Sequence, residues 1–184
     1  MGVMTPASGD PIGLAAALVA GKKVPPDVTQ LLAEDHRTVL GWFRDYAQCT
    51  EPTLRRRLIQ RICAALRAHM TAEEQYLYRA IDDGGPNQEL VGHAFAEHAD
   101  AKLIMDRLED ERADEATVDE LVAQLEAEVA AHAADEESRL FPVLRRSNVD
   151  LYGLGSLVAA RRVQQLLVMN GALLRPDEND ADYI

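Results

Sequence analysis

The stretch AHMTAEEQYLY, residues 68–78, and a second stretch, AHAADEESRLF, residues 131–141, decide the fold of this chain. Both read Ala-His, then Glu-Glu four and five residues after the histidine, then leucine and an aromatic residue. Histidine occurs five times in 184 residues, so the repeated His-to-Glu step inside otherwise apolar segments needs an explanation. Because residues three or four apart share one face of a helix, each stretch places an imidazole and a carboxylate one turn apart.

The surrounding sequence predicts a wholly helical protein. Ala, Leu, Glu and Arg dominate, and β-branched residues never gather into alternating runs. Turn-forming segments delimit four long helices, over about residues 27–48, 51–81, 87–111 and 117–146, and a shorter fifth over about 156–172. Long helices joined by short turns run up and down, so we predict an all-α, up-down-up-down four-helix bundle with an additional C-terminal helix.

The chain is expected to have three parts. Residues 1–24 are predicted to form an N-terminal arm or short helix, residues 25–146 the bundle, and residues 147–184 the C-terminal helix and an acidic tail. The longest apolar run, Pro11 to Gly21, is far below the ~20 residues of a membrane-spanning helix. It also lacks a preceding basic stretch, which makes it a poor signal peptide.

Charge and cysteine content restrict the partners and the compartment. A net charge of -12 argues against a nucleic-acid surface and against binding to an anionic membrane, since both need basic patches. Cys49 and Cys63 do not form a metal-type CxxC pair. We therefore expect two free thiols in a reducing cytoplasm rather than a disulfide.

The repeated motif interrupts the apolar face of two predicted helices. The stripe of the fourth reads Val118, Leu121, Leu125, Val129, His132, Glu136, Leu140 and Val143, and that of the second reads Leu58, Ile62, Leu66, His69, Glu73, Tyr76 and Ala80. Burying an unpaired carboxylate costs several kcal/mol, so the two pairs need a compensating cation. The alternative is that each pair is partly exposed and faces water.

The first and third helices test these two interpretations. Their stripes read Val28, Leu32, His36, Leu40 and Phe43, and Val91, Phe95, His98, Met105 and Leu108. Each helix thus contributes one inward histidine, whereas His93 lies about 140° from His98 and is predicted at the surface or rim. Four imidazoles and two carboxylates suit a pair of metal ions better than one ion. Iron fits this nitrogen and oxygen set, and zinc is possible.

As a set, these motifs resemble the hemerythrin-like proteins, also called the HHE cation-binding domain. The resemblance covers about Asp27 to Arg146 and rests on EDHR, HMTAEE, AEHADAK and HAADEESRLFP. It implies a four-helix bundle that holds two non-haem iron ions joined by an oxo or hydroxo bridge. Carried over residue by residue, the resemblance implies four terminal ligands, at His36, His69, His98 and His132. It implies that the bridging carboxylates are Glu73 and Glu136.

Two departures from the oxygen-carrying hemerythrins bear on function. Lys102 stands where those proteins have a further histidine, and Glu136 follows His132 by four residues instead of five, the spacing of Glu137. Reversible oxygen carriage is therefore not expected. The chain resembles instead the bacterial relatives with an HxxxE pair on both helices, whose activities include peroxide breakdown, nitric oxide chemistry, and iron or oxygen sensing.

Further polar residues are candidates for helping such a centre. Lys102 and Tyr76 are predicted to assist a metal-bound ligand, although each also fits a structural role as a solvent-directed lysine and a core tyrosine. Tyr46 and Tyr78 are weaker candidates, and Glu97 is interpreted as exposed or adjacent to a ligand.

Three functions stay open at this point. The first is a di-iron enzyme that breaks down hydrogen peroxide or carries out nitric oxide and peroxide chemistry. The second is a protein that binds or senses oxygen, nitric oxide or iron without turnover. The third is a structural bundle with a closed metal site or none.

Overall fold

The computed structural model describes residues 26–81, 85, 87–109 and 114–173. Within these ranges the chain forms five long helical stretches and no strand. They are α1, Val28–Gln48; α2, built of Pro52–Ala72, Glu73–Leu77 and Tyr78–Ile81; α3, Gln88–Leu108; α4, built of Glu115–Asp135, Glu136–Leu140 and Phe141–Arg146; and α5, Leu151–Leu173. The predicted all-α fold, a four-helix bundle with an additional C-terminal helix, is confirmed.

The predicted N-terminal arm and acidic tail lie outside the described residues, so the three-part division of the chain stays a prediction. Among the described helices, none combines the length and apolar character that crossing a bilayer requires. Cys49 and Cys63 are free thiols, as expected.

Side-chain caps set the helix starts. Asp27 accepts a hydrogen bond from the Thr29 backbone N–H at 2.8 Å and so caps the start of α1. The start of α5 was wrongly placed near residue 156. Asp150 accepts from the backbone N–H groups of Tyr152 and Gly153 at 3.1 and 3.0 Å, so the helix begins at Leu151 and includes glycines that suggested a break.

A buried polar layer divides the interior into two apolar clusters. The four-helix cluster contains residues of α1 to α4 such as Trp42, Phe43 and Met105. The five-helix cluster adds Leu154 and Val158 of α5. The polar layer between them consists of Asp35, His36, His69, Glu73, His98, His132, Glu136 and Arg162.

Helices α2 and α4 each contain one π-helical turn, at Glu73–Leu77 and Glu136–Leu140. The N–H of Tyr78 donates to the Glu73 carbonyl, five residues back, and the N–H of Phe141 donates likewise to Glu136. A π turn inserts one extra residue into the helix and often marks a functional site. The turns begin at the two carboxylates that interrupt the apolar stripes.

The extra residue changes which side chains face inward beyond each turn. An uninterrupted α-helix predicted Tyr76, Ala80 and Val143 for the core, but these side chains are only partly buried. The buried residues are instead Leu77, Tyr78 and Ile81 on α2, and Phe141 and Leu144 on α4, together with Leu140, which was predicted inside. On α3, Phe95 was also predicted inside, yet it is 42% exposed and Ala94 is buried beside it.

Helix α5 packs against α1 and α2, and at Gly155 it closely approaches the start of α1. A Cβ atom at this position would overlap the carbonyl oxygen of Pro26 and lie 3.2 Å from the backbone nitrogen of Val28. Because those atoms belong to the backbone, they cannot move aside cheaply. Glycine is therefore required where α5 meets the start of α1.

Replacing Gly155 with alanine should destabilise the protein, by roughly 2 kcal/mol for an overpacked contact of this kind. Gly92→Ala is the matched control, because Gly92 also lies within a helix but an added Cβ there meets no atom of the described residues within 4 Å. That variant should gain about 1 kcal/mol from the higher helix propensity of alanine. Urea unfolding of both variants measures the difference, and equal effects would contradict the close approach.

Candidate metal centre

One buried histidine from each helix of the bundle points its Nε2 atom into the polar layer. The atoms form two pairs, His36 with His69 at 3.2 Å and His98 with His132 at 3.1 Å. Two ligand atoms at right angles and 2.1 Å from one ion would be about 3.0 Å apart. Each pair of imidazoles is therefore spaced to share one metal ion.

Glu73 and Glu136 lie between the two pairs, and each turns one carboxylate oxygen toward either pair. The distances are 3.0 Å from Glu73 Oε1 to His69 Nε2, 3.4 Å from Glu73 Oε2 to His98 Nε2, 3.5 Å from Glu136 Oε2 to His36 Nε2, and 3.8 Å from Glu136 Oε1 to His132 Nε2. This arrangement suits two carboxylates that bridge two ions.

Three of these four carboxylate oxygens have no hydrogen-bond partner among the described residues. They are both oxygens of Glu73, which is fully buried, and Oε2 of Glu136. The imidazole Nε2 atoms are near enough for an ion pair but do not present a proton in hydrogen-bond geometry. Buried polar atoms are nearly always satisfied, and a buried anion without compensation is costly. Cations between the helices would satisfy them.

Within the part of the chain that the structure describes, two groups of side chains have ligand atoms that all lie within 4.8 Å of one another. They are His36, His69, Glu73 and Glu136, and Glu73, His98 and His132. Glu73 belongs to both groups, which is the position of a bridge. The residues present therefore fit a pair of metal ions.

A second carboxylate holds each imidazole from behind, at Nδ1. The pairs of these four outer carboxylates are Asp35 with His69 at 3.2 Å, Glu74 with His98 at 2.9 Å, Glu97 with His132 at 2.9 Å, and Glu137 with His36 at 3.0 Å. In each case the acid comes from a neighbouring helix. Helix α1 supplies the carboxylate for the histidine of α2, α2 for that of α3, α3 for that of α4, and α4 for that of α1. A proton on Nδ1 leaves the Nε2 lone pair free to bind a metal.

Comparison with known proteins agrees with this geometry. The family model of the hemerythrin HHE cation binding domain matches residues 27–147. The chain belongs to this family. A crystal structure of a hemerythrin HHE cation binding domain-containing protein from Mycobacterium kansasii has the same fold, with a TM-score of 0.68 at 22% identity, covering 80% of this chain and 92% of that one. Among curated proteins, no significant match was found.

The electrostatic field in this hemerythrin-like domain favours positive charge. Burial lowers the pKa of His69, but the charge of Glu73 and the Asp35 carboxylate, which accepts a hydrogen bond from Nδ1, outweigh burial and raise that pKa to about 10. Burial would raise the pKa of Glu73, yet His69 and His98 hold it well below its usual range. Without metal, protons on the imidazoles therefore balance the carboxylates.

An aromatic side chain directly after each π turn borders the polar layer on the side of the five-helix cluster. The Tyr78 hydroxyl donates to Glu136 Oε1 at 2.9 Å and lies 3.0 Å from His98 Nε2. Burial, and then the charges of Glu73 and Glu136, raise the pKa of Tyr78 well above its usual value. Phe141 stacks on His36 with ring centres 6.2 Å apart. On this side, the two halves of the centre thus differ by one hydroxyl group.

On the opposite side, a small cavity lies between the four imidazoles and the four-helix cluster. Its apolar walls are Val39, Leu66, Met70, Ala101 and Val129. The acidic side chains of Asp35, Glu97 and Glu128 complete it. A mostly apolar space beside the imidazoles is suited to a small, uncharged molecule.

The structure brings together all six residues that the sequence predicted as metal ligands. Lys102 donates to the outer carboxylate Glu74 at 2.5 Å and does not reach the centre itself. Tyr76 lies apart, where its hydroxyl accepts from Gln75 at 3.4 Å, and the inward tyrosine of this turn is Tyr78. Tyr46 is part of the four-helix cluster, and its hydroxyl donates to Asp119 at 2.7 Å.

His93 is 56% exposed, in agreement with its predicted surface position, and its Nε2 pairs with Glu97 at 3.2 Å. Glu97 was left open between an exposed residue and a neighbour of a ligand, and its contact with His132 supports the second. The sequence interpretation missed the roles of Asp35, Glu74 and Glu137. The available signal was a repeated one, because an acid precedes the histidine on α1 and α3 and follows the inward glutamate on α2 and α4.

Proposed function

We propose that this domain holds two non-haem iron ions and uses them to react with a small ligand, either by breaking down hydrogen peroxide or by nitric oxide and peroxide chemistry. The observation that carries the proposal is the set of three unpartnered, buried carboxylate oxygens between two pairs of imidazoles. Such a centre needs more than one positive charge, and its ligands divide evenly between two positions.

The proposed ligands of one ion are His36 and His69, and those of the other are His98 and His132, with Glu73 and Glu136 shared between them. Imidazole and carboxylate together suit iron, whereas closed structural zinc sites commonly use thiolates. Neither free cysteine belongs to the candidate metal groups. Bound iron would supply one-electron redox chemistry and open coordination positions for a small ligand.

The chain's own residues support this use. The Tyr78 hydroxyl is the buried proton donor at the centre, and we assign to it the assisting role that the sequence suggested for Tyr76. Lys102 acts through Glu74 and so through His98. The apolar cavity keeps bulk water from the imidazoles and admits a peroxide, oxygen or nitric oxide molecule. The acidic chain is not expected to bind nucleic acid, and its free thiols support a cytoplasmic location.

Iron content is the first test. Two irons per chain are expected after anaerobic loading with ferrous iron and removal of the excess, because two separate ligand groups share Glu73. The oxidised protein should absorb in the near ultraviolet, as a bridged ferric pair does. A reproducible ratio of one iron per chain, in protein with an intact fold, would contradict the two-ion proposal.

Turnover is the second measurement. The loaded enzyme should consume many equivalents of hydrogen peroxide, alone or with nitric oxide, and the metal-free protein should consume none. If loaded protein binds nitric oxide or oxygen but turns over neither, the binding or sensing alternative is favoured instead. His93→Ala is a suitable control variant, because His93 is 56% exposed and water can take its place beside Glu97.

A further inference from the structure

Helix α5 presents an arginine in its buried face. Leu154, Val158 and Arg162 follow one another at intervals of four residues, and all three are buried. Such a stripe normally packs apolar side chains against the neighbouring helices. Arg162 is only 8% exposed, so its charge needs a partner inside the protein.

That partner is an outer carboxylate of the metal centre. Arg162 Nη2 lies 2.6 Å from Asp35 Oδ1, and Asp35 Oδ2 lies 3.2 Å from His69 Nδ1. Asp35 and His69 are also buried. The charges therefore alternate without interruption from α5 to an imidazole whose Nε2 atom faces the centre.

We propose that Arg162 is a positioning residue of the metal centre, and that α5 thereby forms part of a site otherwise built from the four-helix domain. By holding the Asp35 carboxylate in place against Nδ1 of His69, Arg162 fixes the orientation of the imidazole ring and keeps its Nε2 lone pair directed at the metal. The inference rests on the proposed two-ion centre. The inference goes beyond the proposed centre because α5 lies outside residues 27–147, which match the family model.

Comparison with the other outer carboxylates shows why the arginine matters here. Glu74 pairs with Lys102, which is 36% exposed, and Glu137 is itself 42% exposed, so water can solvate both groups. Asp35 is the most buried of the four. If Arg162 were lost, water could not replace its charge, and the Asp35 carboxylate would turn away from His69.

The test measures binding of Co²⁺, whose visible absorption reports coordination, in competition with a chelator. Wild-type protein should bind two ions. Arg162→Met should weaken one of the two events roughly tenfold, the lower range for a partner of a metal-ligating histidine, and leave the other within about twofold. Arg162→Lys should fall between, since it keeps the charge but not the planar fork. The Co²⁺ spectrum of the weakened site should also change.

Three companion variants separate positioning from packing. Asp35→Asn should weaken the same binding event, and adding Arg162→Met to it should cause little further loss, because Arg162 acts through Asp35. Val158→Ala should lower the melting temperature by loosening α5 yet leave both affinities unchanged. Lys102→Met, the counterpart on the other half, should weaken the other event if it affects either.

The outcomes are distinguishable. Unchanged Co²⁺ affinities in Arg162→Met overturn the inference, as do losses that add fully to those of Asp35→Asn. It is equally overturned if Val158→Ala reduces affinity as much as Arg162→Met, since docking of α5 would then suffice. A wild-type protein that binds fewer than two ions overturns the two-ion proposal itself. If Arg162→Met does not fold, Arg162→Lys and Asp35→Asn decide the question.

Discussion

Metal-free protein should lose stability as the pH rises from about 6.5 to about 10, whereas iron-loaded protein should not show this loss. The pKa of His69 is raised from 6.5 to about 10 in the folded chain. Folded protein therefore keeps this proton where the unfolded chain has released it. The resulting stability is fully present below about pH 6.5 and declines until the folded pKa is passed.

The expected loss is on the order of several kcal/mol, since each pKa unit corresponds to about 1.4 kcal/mol. His98 contributes in the same direction: burial lowers its pKa, but the neighbouring carboxylates Glu73 and Glu74 outweigh burial and raise it. In loaded protein the ions take the place of these protons. Loading at neutral pH should accordingly release protons into the buffer.

Urea unfolding at a series of pH values, with chelated and with loaded protein, measures this difference. A second chelated sample carrying His93→Gln is the control, because His93 is exposed and should leave the slope nearly unchanged. If the stability of chelated wild-type protein stayed constant or rose between about pH 6.5 and pH 10, the electrostatic field of the centre would not favour cations as we infer.

Glu73→Gln should remove most of the bound iron. Both oxygens of Glu73 face imidazole nitrogens, one in each pair, so the substitution takes a charged ligand from both ions. Changing a residue that merely supports a ligand already costs 10–100-fold in affinity, so we expect a loss of at least about 100-fold here. In the presence of iron, the melting temperature of Glu73→Gln should be lower than that of wild-type protein, because metal that binds the native state stabilises it by mass action.

Without metal the order should reverse at alkaline pH. There wild-type protein contains a buried carboxylate whose balancing imidazole protons are being lost, and glutamine has nearly the same shape without the charge. Chelated Glu73→Gln should thus be as stable as wild-type protein at about pH 9, or more stable. Its own pH dependence should begin lower, because Glu73 is the strongest influence that raises the pKa of His69.

Iron content by a chelator assay and thermal unfolding, each with and without iron, test both parts. Glu120→Gln on the exposed face of α4 is the matched control for loss of one negative charge. A Glu73→Gln protein that keeps two irons would show that this carboxylate is not a bridge. Equal destabilisation of its loaded and chelated forms would mark Glu73 as an ordinary structural residue.

The fold and the six candidate ligands could be predicted because α-helical periodicity holds where they lie. His36 and His98 are on uninterrupted helices, and His69 and His132 precede the π turns by one helical turn. Glu73 and Glu136 stand at the first position of those turns, so the usual spacing still places them correctly.

Beyond Glu73 the same periodicity fails, and the inward tyrosine is Tyr78 instead of Tyr76. The repeated stretches did contain the signal, since leucine and an aromatic residue follow the inward glutamate by four and five positions in both copies. Contacts between helices were harder to predict. The pairing of Asp35 with His69 and Arg162 depends on how three helices are arranged around one another, and spacing within a single helix cannot reveal it.

The two π turns also restrict how the length of this protein can vary. Each turn adds one residue, so the helix follows one hydrophobic phase before it and another after it. Deleting a single residue from the turn at Glu73–Leu77 would keep the helix but rotate the segment beyond it by roughly 100°. In a bundle built on an unbroken heptad pattern, either the imidazoles or the side chains of Tyr78 and Phe141 would therefore face the interior, but not both.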